Sequence, residues 1–273
     1  MSKTDLIKID NFYIKREDQN ITGSAKDRAV SLQVKNLVSL NYKQAVISST
    51  GNAAISASYF CHKSDVQLTI FLSPKINPNK LKLIKKYKNN IIFNPRPISS
   101  AFKFSKANNA YFLRQSTDPI AKQGYSQIGQ ELSQQLPRVS SIFIPVGSGT
   151  TLLGISQKVP SHTKIFAVQP SNNPTISSSF DNNFTPETSS LTNSLSVKYL
   201  PLKKEVINTI IKSKGSGLTI SNLQIKQQLD FLSTKSITTS PESALALAGL
   251  VKAKLLGFKI GEYPLVIFTG AKR

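Results

Sequence analysis

A repeated alternation of β-rich runs, small-residue turns and helical segments runs through this chain. From about Tyr42 it reads AVISS, then TGN, then AAISASYFCHK, then QLTIFLS. Later SIFIPV, GSGTT, LLGISQKV and KIFAVQP repeat that order, and LVIFT supplies a further strand. Strands joined through helices form βαβ crossovers, which pair in parallel with helices packed on the sheet. The expected fold class is α/β. Residues 240–256, SPESALALAGLVKAKLL, carry Ser and Pro at the start and Gly257 just beyond the end, which predicts a capped helix. In residues 80–88, KLKLIKKYK, apolar side chains at 81, 83, 84 and 87 predict one face of an amphipathic helix with lysines outside. Residues 171–196 break the pattern: rich in Ser, Asn, Thr and Pro, they are expected to form a long surface loop.

Charge narrows the partners. The 35 Lys and Arg against 14 Asp and Glu give a formal +21, enough to attract phosphorylated metabolites or nucleic acid. The lysines are scattered, however, and no recognition motif accompanies them, so nucleic acid is not an expected partner. With one cysteine, Cys61, and two histidines, His62 and His162, the chain offers neither a disulfide framework nor a cluster of soft metal ligands. No run approaches the ~18 apolar residues of a membrane span, and MSKTDLIKID lacks the apolar core of a signal peptide. No membrane is expected as a partner, and the expected location is cytoplasmic.

Three turns carry candidate chemistry. Gly147, Ser148, Gly149, Thr150 and Thr151 lie between a strand and a helix, where small residues let backbone N–H groups approach a phosphate. The same turn also serves as an ordinary βα connection, and it lacks the lysine and spacing of a nucleoside-triphosphate loop. In residues 20–28, NITGSAKDR, Lys26 follows a small-residue turn and heads the apolar-periodic AVSLQVKNLVSL. A lysine in a partly buried niche is nucleophilic toward an aldehyde, although taken alone Lys26 reads as a solvated lysine at a helix start. The third turn, residues 48–52, SSTGN, offers hydroxyls and amides to an anion such as a carboxylate, or simply caps a helix.

In this order the three turns resemble the tryptophan-synthase β family of pyridoxal-5′-phosphate (PLP) enzymes, fold type II, from about residue 14 to residue 272. IKRED at 14–18 followed by TGSAKDR at 22–28 looks like that family's lysine motif, which implies that Lys26 carries PLP as a Schiff base. STGNA at 49–53 is similar to the family's asparagine loop. The resemblance implies that Asn52 bonds the cofactor's phenolic oxygen while Ser49, Thr50 and Gly51 cradle the substrate carboxylate. PVGSGTT at 145–151 falls where the family binds the cofactor phosphate, through Gly147 to Thr151. SPESALALAG resembles a family helix and FTGAK its last strand and turn, which sets Thr269 against the pyridine nitrogen. A hydroxyl there leaves that nitrogen largely unprotonated and suits elimination or replacement at the β or γ carbon.

The implied architecture has two α/β domains with parallel-rich sheets flanked by helices and PLP in the cleft between them. Residues 1–38 and 116–273 would form the larger, PLP-binding domain, and residues 39–115 the smaller one carrying the STGN loop. The implied activity is that of a PLP-dependent carbon–oxygen lyase on a small amino acid, with Lys26 catalytic. The STGN loop, residues 243–249 and the Thr-Gly ending look most like threonine synthase, which converts O-phosphohomoserine to threonine. IAKQG at 120–124 followed by QEL at 130–132 looks more like threonine or serine dehydratase, which gives a 2-oxo acid. Ala121 stands about where synthases often place an arginine for the substrate phosphate. Lys122 is adjacent and supplies a point charge without the arginine fork. Ala25 stands where the family usually has Phe, Ile21 where it often has Pro, and Thr150 where a glycine is common; none of these removes a reactive atom. The segment before the lysine motif is short for the family, which puts an outer strand or a dimer contact in question. A homodimer is expected. A non-catalytic polyanion-binding homologue is the competing reading, with the +21 charge its one support.

Overall fold

The computed structural model describes all residues except Met1, Thr50, Lys75, Asn193, Ser196, Lys198 and Tyr199. The chain begins with β1 (Leu6–Ile9), β2 (Phe12–Arg16), α1 (Lys26–Ser39), β3 (Gln44–Ser48), α2 (Asn52–Lys63) and β4 (Gln67–Leu72). It continues through α3 (Pro78–Ile84), β5 (Asn90–Phe93), α4 (Pro97–Ala107), β6 (Tyr111–Phe112), α5 (Pro119–Gln135), β7 (Ser141–Pro145) and α6 (Thr150–Ser156). The last elements are β8 (Lys164–Pro170), α7 (Lys203–Lys212), β9 (Ser216–Ile220), α8 (Asn222–Thr234), α9 (Pro241–Leu255) and β10 (Pro264–Phe268).

Two compact units result: residues 1–25 with 125–272, and residues 26–124 with Arg273. The breaks fall at 25/26 and 124/125, so α1 and the first residues of α5 pack with residues 39–115. Two contacts explain this. A Cβ on Gly124 would lie 2.4 Å from the Arg28 carbonyl oxygen, so α5 meets the first turn of α1 backbone to backbone. Gln33 Nε2 of α1 also donates to Asp118 Oδ2 at 2.7 Å, and Asp118 Oδ1 accepts the Ile120 amide at 3.0 Å at the head of α5.

The larger unit carries a six-stranded sheet in the order β1-β2-β10-β7-β8-β9, parallel except for β1 against β2. An outer strand is therefore present, despite the short segment before the lysine motif. All five residues of β7 and all five of β10 are buried, as strands covered on both faces must be. α9 packs against them, and its residues 244–250 are buried all round, which explains a run of Ala and Leu with no polar stripe. Ser240 caps that helix, its hydroxyl accepting the Ser243 amide. The smaller unit has a four-stranded, all-parallel sheet in the order β5-β4-β3-β6.

One expectation is corrected and one is met. The amphipathic helix over residues 80–88 stops at Ile84; α3 instead starts earlier, where Asn77 Oδ1 accepts the Asn79 and Lys80 amides and Pro78 takes the first helical position. The described residues from 171 to 195 are largely irregular and mostly exposed or half-buried, as the expected surface loop should be, yet several of their polar groups are held by the sheet and α9. Gln169 Oε1 accepts the Ile176 and Ser177 amides, Asp181 Oδ2 accepts the Thr219 amide, and Lys252 Nζ donates to Asp181 Oδ2 at 2.6 Å. Ser177 and Asp181 are buried here because they find partners, which composition alone does not reveal.

Candidate active site

In the larger unit, β7 and β10 are parallel neighbours, with Val266 opposite Phe143. The turn from Gly147 to Gly149 and the residue Thr269 therefore leave the same carboxyl edge of the sheet from adjacent strands. Open α/β sheets bind ligands at that edge. Gly149 has φ +87°, and a Cβ there would lie 2.4 Å from Val206 Cγ2, so the position excludes any side chain. At Gly147 a Cβ would meet nothing nearer than the Ser194 carbonyl oxygen at 3.5 Å, so glycine there leaves room beside the turn. No side chain caps α6, and Ser148 Oγ pairs with Thr150 Oγ1 at 3.0 Å. Because α6 has only seven residues, the local amides of the turn, rather than a helix dipole, would hold an anion.

A polar network fixes the end of β10. The Ala25 amide donates to the Thr269 carbonyl at 3.0 Å and the Ala271 amide to the Gly23 carbonyl at 2.9 Å, which clips the turn before Lys26 onto the strand's extension. Ser243 Oγ and Thr239 Oγ1 both donate to the Gly270 carbonyl at 3.2 Å. Thr239 also reaches Asp18, which Arg16 grips through two nitrogens at 2.8 and 3.0 Å. Lys15, fully buried, donates to Glu131, Gln135 and the Thr4 carbonyl. Sequence reasoning took IKRED as a signature and missed that its charged residues hold structure. Ser243, the one polar residue in an Ala-Leu run, was the available signal.

In the smaller unit, Ser49, Gly51 and Asn52 follow β3, an interior strand of its sheet. Thr50 lies outside the described residues. Gly51 stands at the N-cap of α2 with no side-chain cap, and its amide donates to Ser49 Oγ at 3.2 Å. Asn52 Oδ1 is buried and has no hydrogen-bond partner. A buried acceptor left unpaired costs about 1–3 kcal/mol, so it calls for a ligand. Lys26 opens α1 and is half-buried, and α1 packs on α2. Lys122 lies half-buried on α5, two residues before the Gly124 contact with α1. Ser49, Gly51, Asn52, Gly147 to Thr151 and Thr269 thus follow strands' carboxyl ends, while Lys26 and Lys122 lie on α1 and α5.

Nearby, Tyr111 OH donates to Asp118 Oδ2 at 2.7 Å and accepts from Asn36 Nδ2 at 3.3 Å. Burial, then the hydrogen bond to the Asp118 carboxylate, raises the Tyr111 pKa, so this hydroxyl stays protonated and structural. Among the described residues no group of three or more His, Cys, Asp or Glu could hold a metal ion.

A glycine turn at the carboxyl edge of one sheet and, separately, a turn with an unsatisfied asparagine at the carboxyl edge of the other are both places where open α/β sheets take ligands. A family model described as pyridoxal-phosphate dependent enzyme matches residues 2–270, and the chain belongs to that family, with PLP its cofactor. The residues fit PLP: the Gly147 to Thr151 turn, where a Cβ at Gly149 would strike Val206, would take its phosphate, and Asn52, with its buried Oδ1 unpaired, would offer a polar group to its ring.

Among curated relatives, an L-threonine ammonia-lyase of Geobacter sulfurreducens is 26% identical over 58% of this chain and 41% of its own length. A threonine synthase of Methanosarcina acetivorans is 24% identical over 92% of this chain and 67% of its own. The chain thus spans less than half the length of the first of these. Among solved structures, maize serine racemase has a TM-score of 0.87 at 16% identity, covering 100% of this chain and 89% of that one. Threonine deaminase isoform 2 of Solanum lycopersicum has a TM-score of 0.84 at 20% identity, covering 100% and 84%. These likenesses establish the fold type II architecture.

Proposed function

We propose that the protein is a PLP-dependent lyase of the threonine synthase kind, which releases phosphate from O-phosphohomoserine and adds water to give threonine. The observation that supports a cofactor beside this turn is the buried, unpartnered Asn52 Oδ1 on α2, the helix that packs against the one opened by Lys26. By the family resemblance Lys26 Nζ would bind the cofactor aldehyde and Asn52 its phenolic oxygen, while Gly147 to Thr151 would hold its phosphate and Thr269 its ring nitrogen. When bound, PLP draws electron density from the substrate's α carbon. Once the substrate's amine had displaced it from the aldehyde, the freed Lys26 amine would take the proton from Cα and serve again as proton carrier at Cβ. Ser49 Oγ, which accepts the Gly51 amide, keeps its own proton to donate to the substrate carboxylate. Gly51 would complete that cradle, and Lys122 would set its charge against the phosphate ester that leaves Cγ.

Support for the synthase over other lyases is the match to threonine synthase along 92% of the chain, where the first ammonia-lyase matches 58%. One observation favours a second reading. Ala121 is fully buried, and α5 carries no arginine to clamp a phosphate ester. With a β-hydroxyl leaving instead, the protein would be a threonine or serine dehydratase, yielding a 2-oxo acid and ammonia. Supplying PLP-saturated protein separately with O-phosphohomoserine, threonine and serine decides between them. The expected result is equimolar phosphate and threonine from the first; 2-oxo acid from threonine or serine, with phosphohomoserine untouched, would establish the dehydratase. Turnover of none of the three, with salt-sensitive binding of RNA or DNA, would establish the non-catalytic homologue.

A further inference from the structure

The 35 basic residues include only six arginines: Arg16, Arg28, Arg96, Arg114, Arg138 and Arg273. Where plain positive surface suffices this chain uses lysine, so each arginine invites the question of what its planar fork does. Four have intramolecular answers. Arg16 grips Asp18 at 2.8 Å, Arg28 is buried, Arg138 lies 4.8 Å from the Tyr263 ring centre, and Arg273 feels the charge of Asp27. Arg96 and Arg114 have no such partner: among the described residues no carboxylate lies within ion-pair distance of either.

Both line one groove of about 470 Å³, together with Pro97, Ile98, Ser99 and Phe102. That volume lies in the ~300–1,000 Å³ range of small-molecule sites. The groove lies wholly within the unit of residues 26–124, and none of the residues given a role in cofactor or substrate binding lines it. Its two cationic walls are held by the backbone. Asn94 Oδ1 accepts the Arg96 amide at 2.7 Å, and the Arg96 carbonyl accepts the Ser100 amide, which fixes the entry to α4. On the other side the Arg114 carbonyl accepts the Thr117 and Asp118 amides, and Arg114 Nε donates to Ser116 Oγ at 3.3 Å. The floor is apolar yet open: Ile98 is 50% and Phe102 51% exposed, although Phe102 leans on Phe112 of β6 with ring centres 6.2 Å apart. Two large apolar side chains held at the surface between two guanidiniums that face no carboxylate match a ligand with an anionic head and an apolar body. A phosphate monoester, with ~1.5–2 negative charges near neutral pH, suits a pair of arginines.

We propose that the Arg96–Arg114 groove binds a small organic phosphate monoester, the guanidiniums taking the phosphate and Ile98 and Phe102 the apolar body.

The probe is phenyl phosphate, titrated calorimetrically into the PLP-saturated full chain so that the cofactor's own phosphate turn is filled. Saturable one-site binding is expected, and inorganic phosphate should bind more weakly because it cannot use Ile98 and Phe102. R96Q/R114Q should weaken phenyl phosphate about tenfold or more, and R96K/R114K, which keeps the charge and loses the fork, should fall between it and wild type. K35Q/K88Q removes the same charge from exposed positions of the same unit and should leave affinity unchanged. Absence of saturable binding overturns the proposal. So does equal weakening by K35Q/K88Q, which would mean general attraction to a +21 chain, and so does inorganic phosphate binding as tightly as phenyl phosphate. Should R96Q/R114Q fail to fold, R96K/R114K decides: affinity equal to wild type would overturn the use of the fork.

Discussion

The backbone amide of Ala25 donates to the carbonyl oxygen of Thr269 at 3.0 Å, joining the turn before Lys26 to the end of β10 across almost the whole length of the chain. Neither partner offers a side chain to that bond, so sequence carries no trace of it. Its consequence is that the residue preceding the proposed cofactor lysine is held by the same residue whose hydroxyl is proposed to meet the cofactor's ring nitrogen. Loops position functional groups well only when a rigid scaffold pins them, and here strand β10 is the scaffold.

Lys26 should be the residue that borohydride marks. Reduction of PLP-loaded wild type is expected to leave one pyridoxyl group, located on Lys26 by mass spectrometry. Lys26→Ala should lose turnover yet keep PLP noncovalently, because the Gly147 to Thr151 turn does not depend on the lysine. A mark on another lysine would overturn the assignment.

The two glycines of the phosphate turn should behave differently. Gly149→Ala forces a side chain into left-handed backbone, at about 1–2 kcal/mol, and drives its Cβ against Val206. Both the apoprotein's melting temperature and PLP affinity should fall. Gly147→Ala meets only ordinary contacts, so the apoprotein should melt as wild type does while PLP affinity drops. Equal thermal losses in both variants would contradict the geometry.

Much of this was legible beforehand, for identifiable reasons. The β7–turn–α6 and β3–turn–α2 units announce themselves because buried parallel strands are continuous apolar runs and their turns need small residues. β6 has two residues, Tyr111 and Phe112, and no local pattern distinguishes so short a strand; only its pairing with β3 makes it one. The Lys252–Asp181 pair joins positions far apart in sequence, so nothing near either residue marks it as buried.

Asn52→Ala should separate ligand binding from stability. In the apoprotein the substitution removes an acceptor that has no partner, which offsets the lost packing, so its melting temperature should change little. PLP affinity should fall and the cofactor's absorption band should move. A thermal loss of the size seen for an apolar core truncation, with the absorption unchanged, would mean that Asn52 is structural.

Lys252 should be a stability residue with reach beyond its own helix. It donates to Asp181 Oδ2 at 2.6 Å and to the Thr219 and Asn183 carbonyls, tying residues 181–183 to α9 and β9. Lys252→Ala strands a buried carboxylate, at about 3–5 kcal/mol. Chemical denaturation should register that loss, and K252M/D181L, which removes both charges, should recover part of it. Failure of the double variant to recover any stability would argue against an ion pair as the cause.

Cys61 provides a pH-dependent check on the core of the smaller unit. It is fully buried on α2 among apolar side chains, and burial pushes its thiol pKa up to about 12 from 9.0. Below pH 9 the thiol is protonated in folded and unfolded chains alike, so it adds no pH dependence. Between pH 9 and 12 the unfolded chain releases the proton and the folded one does not. Stability is therefore lost as pH rises, by about 1.4 kcal/mol per unit from this group. Other titrating groups are shared with Cys61→Ala, so the difference between the two proteins isolates the thiol. At pH 8 Cys61→Ala should be the less stable, because it leaves a small cavity. By pH 10.5 wild type should have lost about 2 kcal/mol relative to it. Denaturation of both proteins across that range reads the effect directly, and a gap that stays constant would mean that solvent reaches the thiol in the folded chain.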